Sequence, residues 1–362
     1  LNWITKLRRA KPHRYEGYVD LIKEDALSGW GMKIDENGHI RPVWIDISIN
    51  AVPVATISAS TFRSDVLGQD MGDGYCGFHF NPRLYLREGR NRLRLTFAGT
   101  DQLLRGGEKE ILVIDPPAAI LQDHAGDEFV LVGEEFTKHL IGLCNLQPKG
   151  SVLDIGCGTG RMAIPLAKYL GEDGSYVGFD VFGPGIEWCR AHIGTHRPNF
   201  RFETADVDNG LYNQKAASPA SEYRFPCEDE SIDVVLAASV FTHLLADDVR
   251  HYLKETRRIL KPGGRCLITA FLMNKEAGQL IADGKSRHFT FRHRTGDCLA
   301  EDPARPEAAL AYEEELLTAL FREARLQIEE PIRYGLWCGR DEFLSYQDII
   351  VARRPDIPTE AS

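Results

Sequence analysis

Val152-Leu153-Asp154-Ile155-Gly156-Cys157-Gly158-Thr159-Gly160-Arg161 decides the fold. Its Val, Leu and Ile residues read as a buried parallel strand. Three glycines at alternate positions follow, and Met162-Ala163-Ile164-Pro165-Leu166-Ala167 then reads as a helix. A strand, a Gly-rich turn and a helix in this order aim backbone N–H groups and the positive helix end at an anionic group. The glycines let the chain turn tightly and approach a ligand without a Cβ in the way. Asp154 falls at the strand's carboxyl end, where open α/β sheets bind ligands. Gly158-x-Gly160-x-x-Ala163 also fits the loose dinucleotide fingerprint, so the turn alone leaves a nicotinamide enzyme open.

The residues that follow narrow the choice. Ser175-Tyr176-Val177-Gly178-Phe179-Asp180 is a second strand ending in an acid, and Phe200-Arg201-Phe202-Glu203-Thr204-Ala205-Asp206 is a third. An Asp-initiated apolar strand runs from Ser231 to Ala238. Arg258-Ile259-Leu260-Lys261-Pro262-Gly263-Gly264 reads as a turn before a fifth strand, Arg265 to Ala270. Leu326–Glu329 and Tyr346–Ala352 read as the last two strands.

This series resembles the class I S-adenosylmethionine-dependent methyltransferases, over roughly the last two thirds of the chain. The resemblance implies a seven-stranded, doubly wound, Rossmann-like α/β sheet with S-adenosylmethionine as cofactor. By the same resemblance Asp154, Gly156, Cys157, Gly158 and Gly160 meet the amino-acid end and ribose. Asp180 and Val181 lie at the ribose, Asp206 and Val207 at the adenine, and Ser239 beside the cofactor. Asp180 suits a nicotinamide enzyme equally well; Asp206 and the Lys-Pro-Gly-Gly turn favour the methyltransferases. In Ser239-Val240-Phe241-Thr242-His243-Leu244, His243 is the candidate general base for a hydroxyl acceptor, or else a packing residue that shapes the pocket.

Ahead of this region the chain alternates differently. Val43, Ile45, Ile47 and Ile49 share one face of an extended run, and Trp44, Asp46 and Ser48 take the other. Asn50-Ala51 reads as a tight turn, and Leu93, Leu95 and Phe97 repeat the alternation. Short strands between turn signals indicate a small all-β sandwich over residues 15–116. Ser28-Gly29-Trp30-Gly31 and Gly74-Tyr75-Cys76-Gly77-Phe78-His79-Phe80 resemble elements of β modules in bacterial proteins that handle surface carbohydrates. Trp30 and Tyr75 are then either glycan-binding aromatics or core. Residues 1–14 form a basic leader, solvated or in weak contact with an anionic membrane surface. Pro116-Pro117 marks the boundary, and residues 117–362 form the second domain, opening with a helix near Phe129–Leu143.

Charge and cysteine usage bound the partners. The net charge is −10, with about +1 on residues 1–116 and the rest on the second domain. An acidic catalytic region argues against nucleic acid, which needs clustered Lys and Arg. A small-molecule or glycan acceptor is expected. The eight cysteines are scattered without a C-x-x-C pair, so no zinc site or disulfide framework is expected, and a reducing cytoplasm fits. No apolar run has the length of a transmembrane segment. Two long segments read as builders of the acceptor pocket: Val207–Pro226, carrying Tyr212, Tyr223 and Arg224, and Asn274–Tyr312, carrying His288, Arg292, His293 and Arg294. No metal is expected at those histidines. Trp337, between the last two strands, reaches the acceptor or packs in the core.

Overall fold

The structure, a computed structural model, describes residues 14–67, 73–115, 127–208 and 218–356. Residues 1–13 of the leader, Pro116-Pro117 and Tyr212 lie outside the described residues. The chain divides into two compact units, one ending at Asp115 and the other beginning at Pro116.

The first unit holds β1 (Arg14–Ile22), β2 (Leu27–Ile34), β3 (Ile40–Ile49), β4 (Val52–Ala59), β5 (Thr61–Phe62), α1 (Ser64–Leu67), β6 (Tyr75–Phe80), β7 (Gly89–Phe97) and β8 (Leu103–Val113). They run in the order β4-β3-β7-β8-β1-β2-β6-β5, and a further β2–β3 pairing joins the two layers at a second edge. Val43, Ile45, Ile47 and Ile49 are buried with Leu93, Leu95, Phe97, Leu27 and Phe78 in one core drawn from both layers. The alternation of β3 therefore has its physical cause: one face meets the other layer, and Trp44 on the opposite face is 58% exposed. Asn50 and Ala51 both have positive φ, 53° and 65°, the geometry a two-residue hairpin turn needs. Arg14, assigned above to the leader, opens β1 and pairs with Glu16. Tyr75 is exposed against Phe62, with ring centroids 5.3 Å apart, and Trp30 is half-buried.

In the second unit α2 (Asp127–Cys144) precedes β9 (Ser151–Ile155), α3 (Ala163–Tyr169), β10 (Ser175–Asp180), α4 (Gly183–Cys189) and β11 (Phe200–Thr204). A short pair, β12 (Val207–Asp208) and β13 (Ser218–Pro219), leads to β14 (Ile232–Ala237), α5 (Ala246–Ile259) and β15 (Leu260–Ala270). The sheet order is β11-β10-β9-β14-β15-β21-β20, with β20 (Gln327–Ile328) and β21 (Asp348–Arg353) at one edge. Strand β21 runs antiparallel to both its neighbours, and the others are parallel. The order reverses between β9 and β14, and the crevice outside their carboxyl ends is where such sheets take ligands.

Lys261-Pro262-Gly263-Gly264, expected as a turn before the fifth strand, lies inside β15. Pairing jumps from Ile232↔Leu260 to Val234↔Arg265, so these residues form a bulge. Gly263 has a φ of 77°, which a residue with a Cβ rarely adopts, and its N–H donates to the Arg354 carbonyl at 2.9 Å. The bulge also brings the Lys261 ammonium to 2.8 Å from Oδ2 of Asp233.

Between β15 and α7 (Glu314–Glu323) stands an insertion: β16 (Leu272–Met273), α6 (Lys275–Ala282), β17 (His293–Thr295), β18 (Cys298–Ala300) and β19 (Leu310–Glu313). These strands form their own sheet, β16-β19-β18-β17. Phe271, Phe291, Ala311 and Trp337 pack together beside it. Trp337 is thus a core residue, 2% exposed, and its indole N–H donates to Oδ2 of buried Asp348 at 2.8 Å. Asp348 also accepts from the N–H groups of Leu272 and Gly335 at 2.7 and 2.6 Å. Burial nevertheless pushes its carboxyl up to about 6, against those bonds and the nearby Arg340.

Candidate active site

A cavity of about 480 Å³ opens at the carboxyl ends of β9, β10 and β14. That size suits a small-molecule cofactor. Its floor is the glycine turn. Gly156, Gly158 and Gly160 have φ of 70°, 54° and 81°. A Cβ at Gly156 would come within 2.5 Å of Val240, one at Gly160 within 2.9 Å of the Cys189 sulfur. A Cβ at Gly158 would meet only Asp180, at 4.0 Å, and would otherwise fill open cavity. The glycines thus serve two ends: two prevent collision with protein, and one keeps the cradle empty.

Two carboxylates edge the turn. Asp154, next to last in β9, is almost wholly buried and accepts a hydrogen bond from the Tyr176 hydroxyl at 2.6 Å. Burial pushes its carboxyl up to about 7, Tyr176 opposes that, and the neighbouring Asp180 adds to it. Asp180 ends β10 and accepts from the N–H of Gly158 at 2.7 Å and from that of Phe182 at 2.8 Å. Those bonds hold its two oxygens at the turn. Burial still raises its carboxyl above the usual range.

The loop after β14 forms the opposite wall with Ala238, Ser239, Val240, His243 and Leu244. Ser239 has a φ of 60°, a left-handed conformation costing about 1–2 kcal/mol for a residue with a Cβ. Its N–H donates to the Thr269 hydroxyl at 2.8 Å, and its hydroxyl donates to Oε1 of Gln347 at 3.2 Å, which hold the kink. His243 sits on a short 3₁₀ turn, Phe241–His243, with Nδ1 2.8 Å from the Glu307 carbonyl.

The cavity gathers Asp154, Gly156, Cys157, Gly158, Asp180, Val181, Val207, Ser239 and His243. Gly160 stands at the end of the same turn, packed against Cys189 and Ile193 rather than on the cavity wall. Asp206 lies between two residues of the cavity wall without lining it. It is exposed, while Ala205 and Val207 on either side are buried and line the cavity. In extended backbone successive side chains alternate, so a segment that turns 205 and 207 inward turns 206 outward. Tyr223 packs against Phe179 and Phe225 (centroids 5.3 and 6.3 Å), and Arg224 is exposed; neither lines the cavity. His288, Arg292, His293 and Arg294 are exposed on the insertion and also stand away from the cavity wall.

Among the lining residues that the sequence reading does not assign to the site are Arg161, Phe129 and Tyr252. Arg161, just past the glycine turn, is the one Lys or Arg among the described lining residues. Burial lowers its guanidinium, and Asp154 supports its charge. Its place one residue beyond Gly160 was the available signal. Phe129 opens the helical run at 129–143, which by the family resemblance either closes over the cofactor or simply packs, and Tyr252 of α5 comes from a distant helix to which nothing local in the sequence points.

Residues 152–264 match the family described as a methyltransferase domain. The chain is 33% identical over 149 residues to the 27-O-demethylrifamycin SV methyltransferase of Amycolatopsis mediterranei, covering 41% of this chain and 48% of that protein. It is 32% identical over 113 residues to the arsenite methyltransferase of Aquipseudomonas alcaligenes, covering 31% of this chain and 30% of the other. The chain thus spans half or less of the length of these relatives. Among solved structures, a SAM-dependent methyltransferase from Aquifex aeolicus aligns at 16% identity with a TM-score of 0.41, covering 66% of this chain and all of that one. Residues 152–264 thus match a methyltransferase domain, and the relatives aligned over this part of the chain are methyltransferases.

Proposed function

We propose that this chain transfers a methyl group from S-adenosylmethionine to a hydroxyl on a sugar or glycan precursor, with His243 as general base. The observation that carries the reading is the placement of His243 on the cavity wall that also holds the glycine turn and both raised carboxylates.

The cradle fits the cofactor. Gly158 leaves room that a Cβ would take, and the buried carboxylate of Asp154 calls for a cation. Asp154 would meet the ammonium and Arg161 the carboxylate of the amino-acid end. Asp180, whose oxygens each keep a second acceptor site, would take the ribose hydroxyls. Ala205 and Val207 would flank the adenine. When bound, the cofactor supplies a methyl already activated by its sulfonium. The protein's tasks are then alignment, worth up to about 7–11 kcal/mol, exclusion of water and removal of one proton. A hydroxyl loses that proton to His243. Nδ1 donates to the Glu307 carbonyl, which can only accept, so Nε2 carries the lone pair in the neutral ring.

The sugar acceptor draws support from the β module, which exposes Trp44 and Tyr75, planar aromatics of the kind that stack on sugar rings. A second reading, O-methylation of another small metabolite, draws on the rifamycin relative, whose name also records an oxygen acceptor. A reducing compartment suits the eight cysteines, which are all free thiols. Among the described residues no helix is long and apolar enough to cross a membrane.

The test is a panel of nucleotide sugars, oligosaccharides and polyketide alcohols with methyl-labelled cofactor. On the acceptor that turns over, His243→Ala is expected to lose about 10²–10⁴ in rate while keeping its affinity for S-adenosylhomocysteine. A loss of less than about threefold would reject the base, since general-base assistance is worth far more.

A further inference from the structure

The insertion over residues 272–313 follows the carboxyl end of β15, where an acceptor lid is expected. None of its residues lines the cavity. It reaches the His243 loop from outside instead. The Glu307 carbonyl, on the 3₁₀ turn before β19, takes the Nδ1 proton of His243 at 2.8 Å. Tyr312 on β19 is fully buried and sets its hydroxyl against two carbonyls, those of Leu244 and of Phe241, the latter at 3.1 Å. These residues bracket the His243 turn. Tyr312 is itself fixed, for its N–H donates to the Phe271 carbonyl at 2.9 Å, at the end of the central sheet.

We infer that this insertion is a clamp that selects the tautomer and height of His243, with Tyr312 as a positioning residue. The inference rests on His243 being the base. Within the turn one bond of 2.9 Å runs from the His243 N–H to the Val240 carbonyl and one of 3.3 Å from the Leu244 N–H to the Phe241 carbonyl, while Phe241 and Thr242 are buried and His243 itself is half-buried. A ring on such a turn can rotate and exchange its proton between the two nitrogens. The Glu307 carbonyl removes that freedom, because an acceptor facing Nδ1 requires the hydrogen there. Tyr312 removes the second freedom, the rise and fall of the turn, because losing its hydroxyl takes that donor from the Leu244 carbonyl and leaves the Phe241 carbonyl only the longer bond from the Leu244 N–H. Burial holds the phenol far above its usual range, so the hydroxyl remains a donor throughout the working pH range. A packing role alone would need only the aromatic ring.

Tyr312→Phe keeps the ring and removes the hydroxyl. Imidazole ¹⁵N spectra of the full chain read the tautomer directly and need no acceptor. The wild type is expected to show His243 with a protonated Nδ1 and a lone-pair Nε2. Tyr312→Phe is expected to show both tautomers. On the acceptor found in the panel its kcat is expected to fall about tenfold with KM for the methyl donor held, since a misplacement near 1 Å can cost up to about 10². A wild-type spectrum with the proton on Nε2 overturns the clamp, as does a Tyr312→Phe chain with an unchanged spectrum and unchanged kcat. If His243→Ala retains full rate while the wild-type spectrum stands, the base reading has failed rather than the geometry.

Discussion

The two ends of one parallel sheet treat the same residue type in opposite ways. At the amino end Asp233 is the second residue of β14, and its Oδ2 accepts from the N–H of Ser151 at 2.8 Å, the Ser151 hydroxyl at 2.7 Å and Lys261 at 2.8 Å. Burial pushes this carboxyl up, but the Lys261 bond and the two Ser151 donors outweigh it, and it titrates below the usual range. At the carboxyl end Asp154 and Asp180 are both raised, and among the described residues no Lys or Arg hydrogen-bonds to either, although the Arg161 charge is felt at Asp154. The amino-end aspartate is satisfied by its own fold. The carboxyl-end pair carries a desolvation cost that the fold leaves for a ligand to offset, which is where perturbed groups are expected to mark function.

Substitution at the two ends should therefore separate affinity from stability. Asp154→Asn or Asp180→Asn is expected to weaken S-adenosylhomocysteine binding about 10–100-fold, the range of a charged hydrogen bond, without lowering the melting temperature. Equal affinity in calorimetry would remove the distinction between the ends.

A pH titration sharpens it. The folded state raises the Asp154 carboxyl from 3.8 to about 7, so the folded state binds the extra proton and the charged form costs stability as pH rises through that window. An ammonium ligand favours the carboxylate, so binding below about pH 7 releases a proton. Affinity for S-adenosylhomocysteine is expected to strengthen by up to about tenfold per pH unit up to that point and to level above it. A flat profile between pH 5 and 8 would contradict the raised carboxyl.

The smallest effect belongs to the amino end. Asp233→Asn is expected to lower stability by about 1 kcal/mol, the size appropriate to a partly exposed pair, and to leave cofactor affinity unchanged. The Asp233 contribution has the opposite sign with pH: its carboxyl is depressed, so stability is present at neutral pH and lost on acidification. Thermal melts at pH 7 and pH 3 check both statements.

What the sequence disclosed follows the range of the forces involved. The Gly156–Gly160 turn, the acids at the carboxyl ends of β9 and β10 and the alternation of β3 are local patterns, with their causes within a few residues of each other. At Asp206 the local pattern gives the acid but not its exposure between two buried, cavity-lining neighbours. The His243 clamp joins residues 64 and 71 positions apart, and no spacing rule links them. Phe129 and Tyr252 likewise reach the cavity through helix packing. The insertion was recognised as a long segment, yet its own small sheet and its attachment behind His243 emerge only from tertiary contact.

Calorimetric titration of the full chain at pH 8, with S-adenosylhomocysteine in one run and NAD in another, reads which ligand the cradle takes. One equivalent of S-adenosylhomocysteine is expected to bind, with no heat from NAD. Binding of NAD alone, or silence with both, would contradict a methyl-donor cradle built on Gly156–Gly160, Asp154 and Asp180.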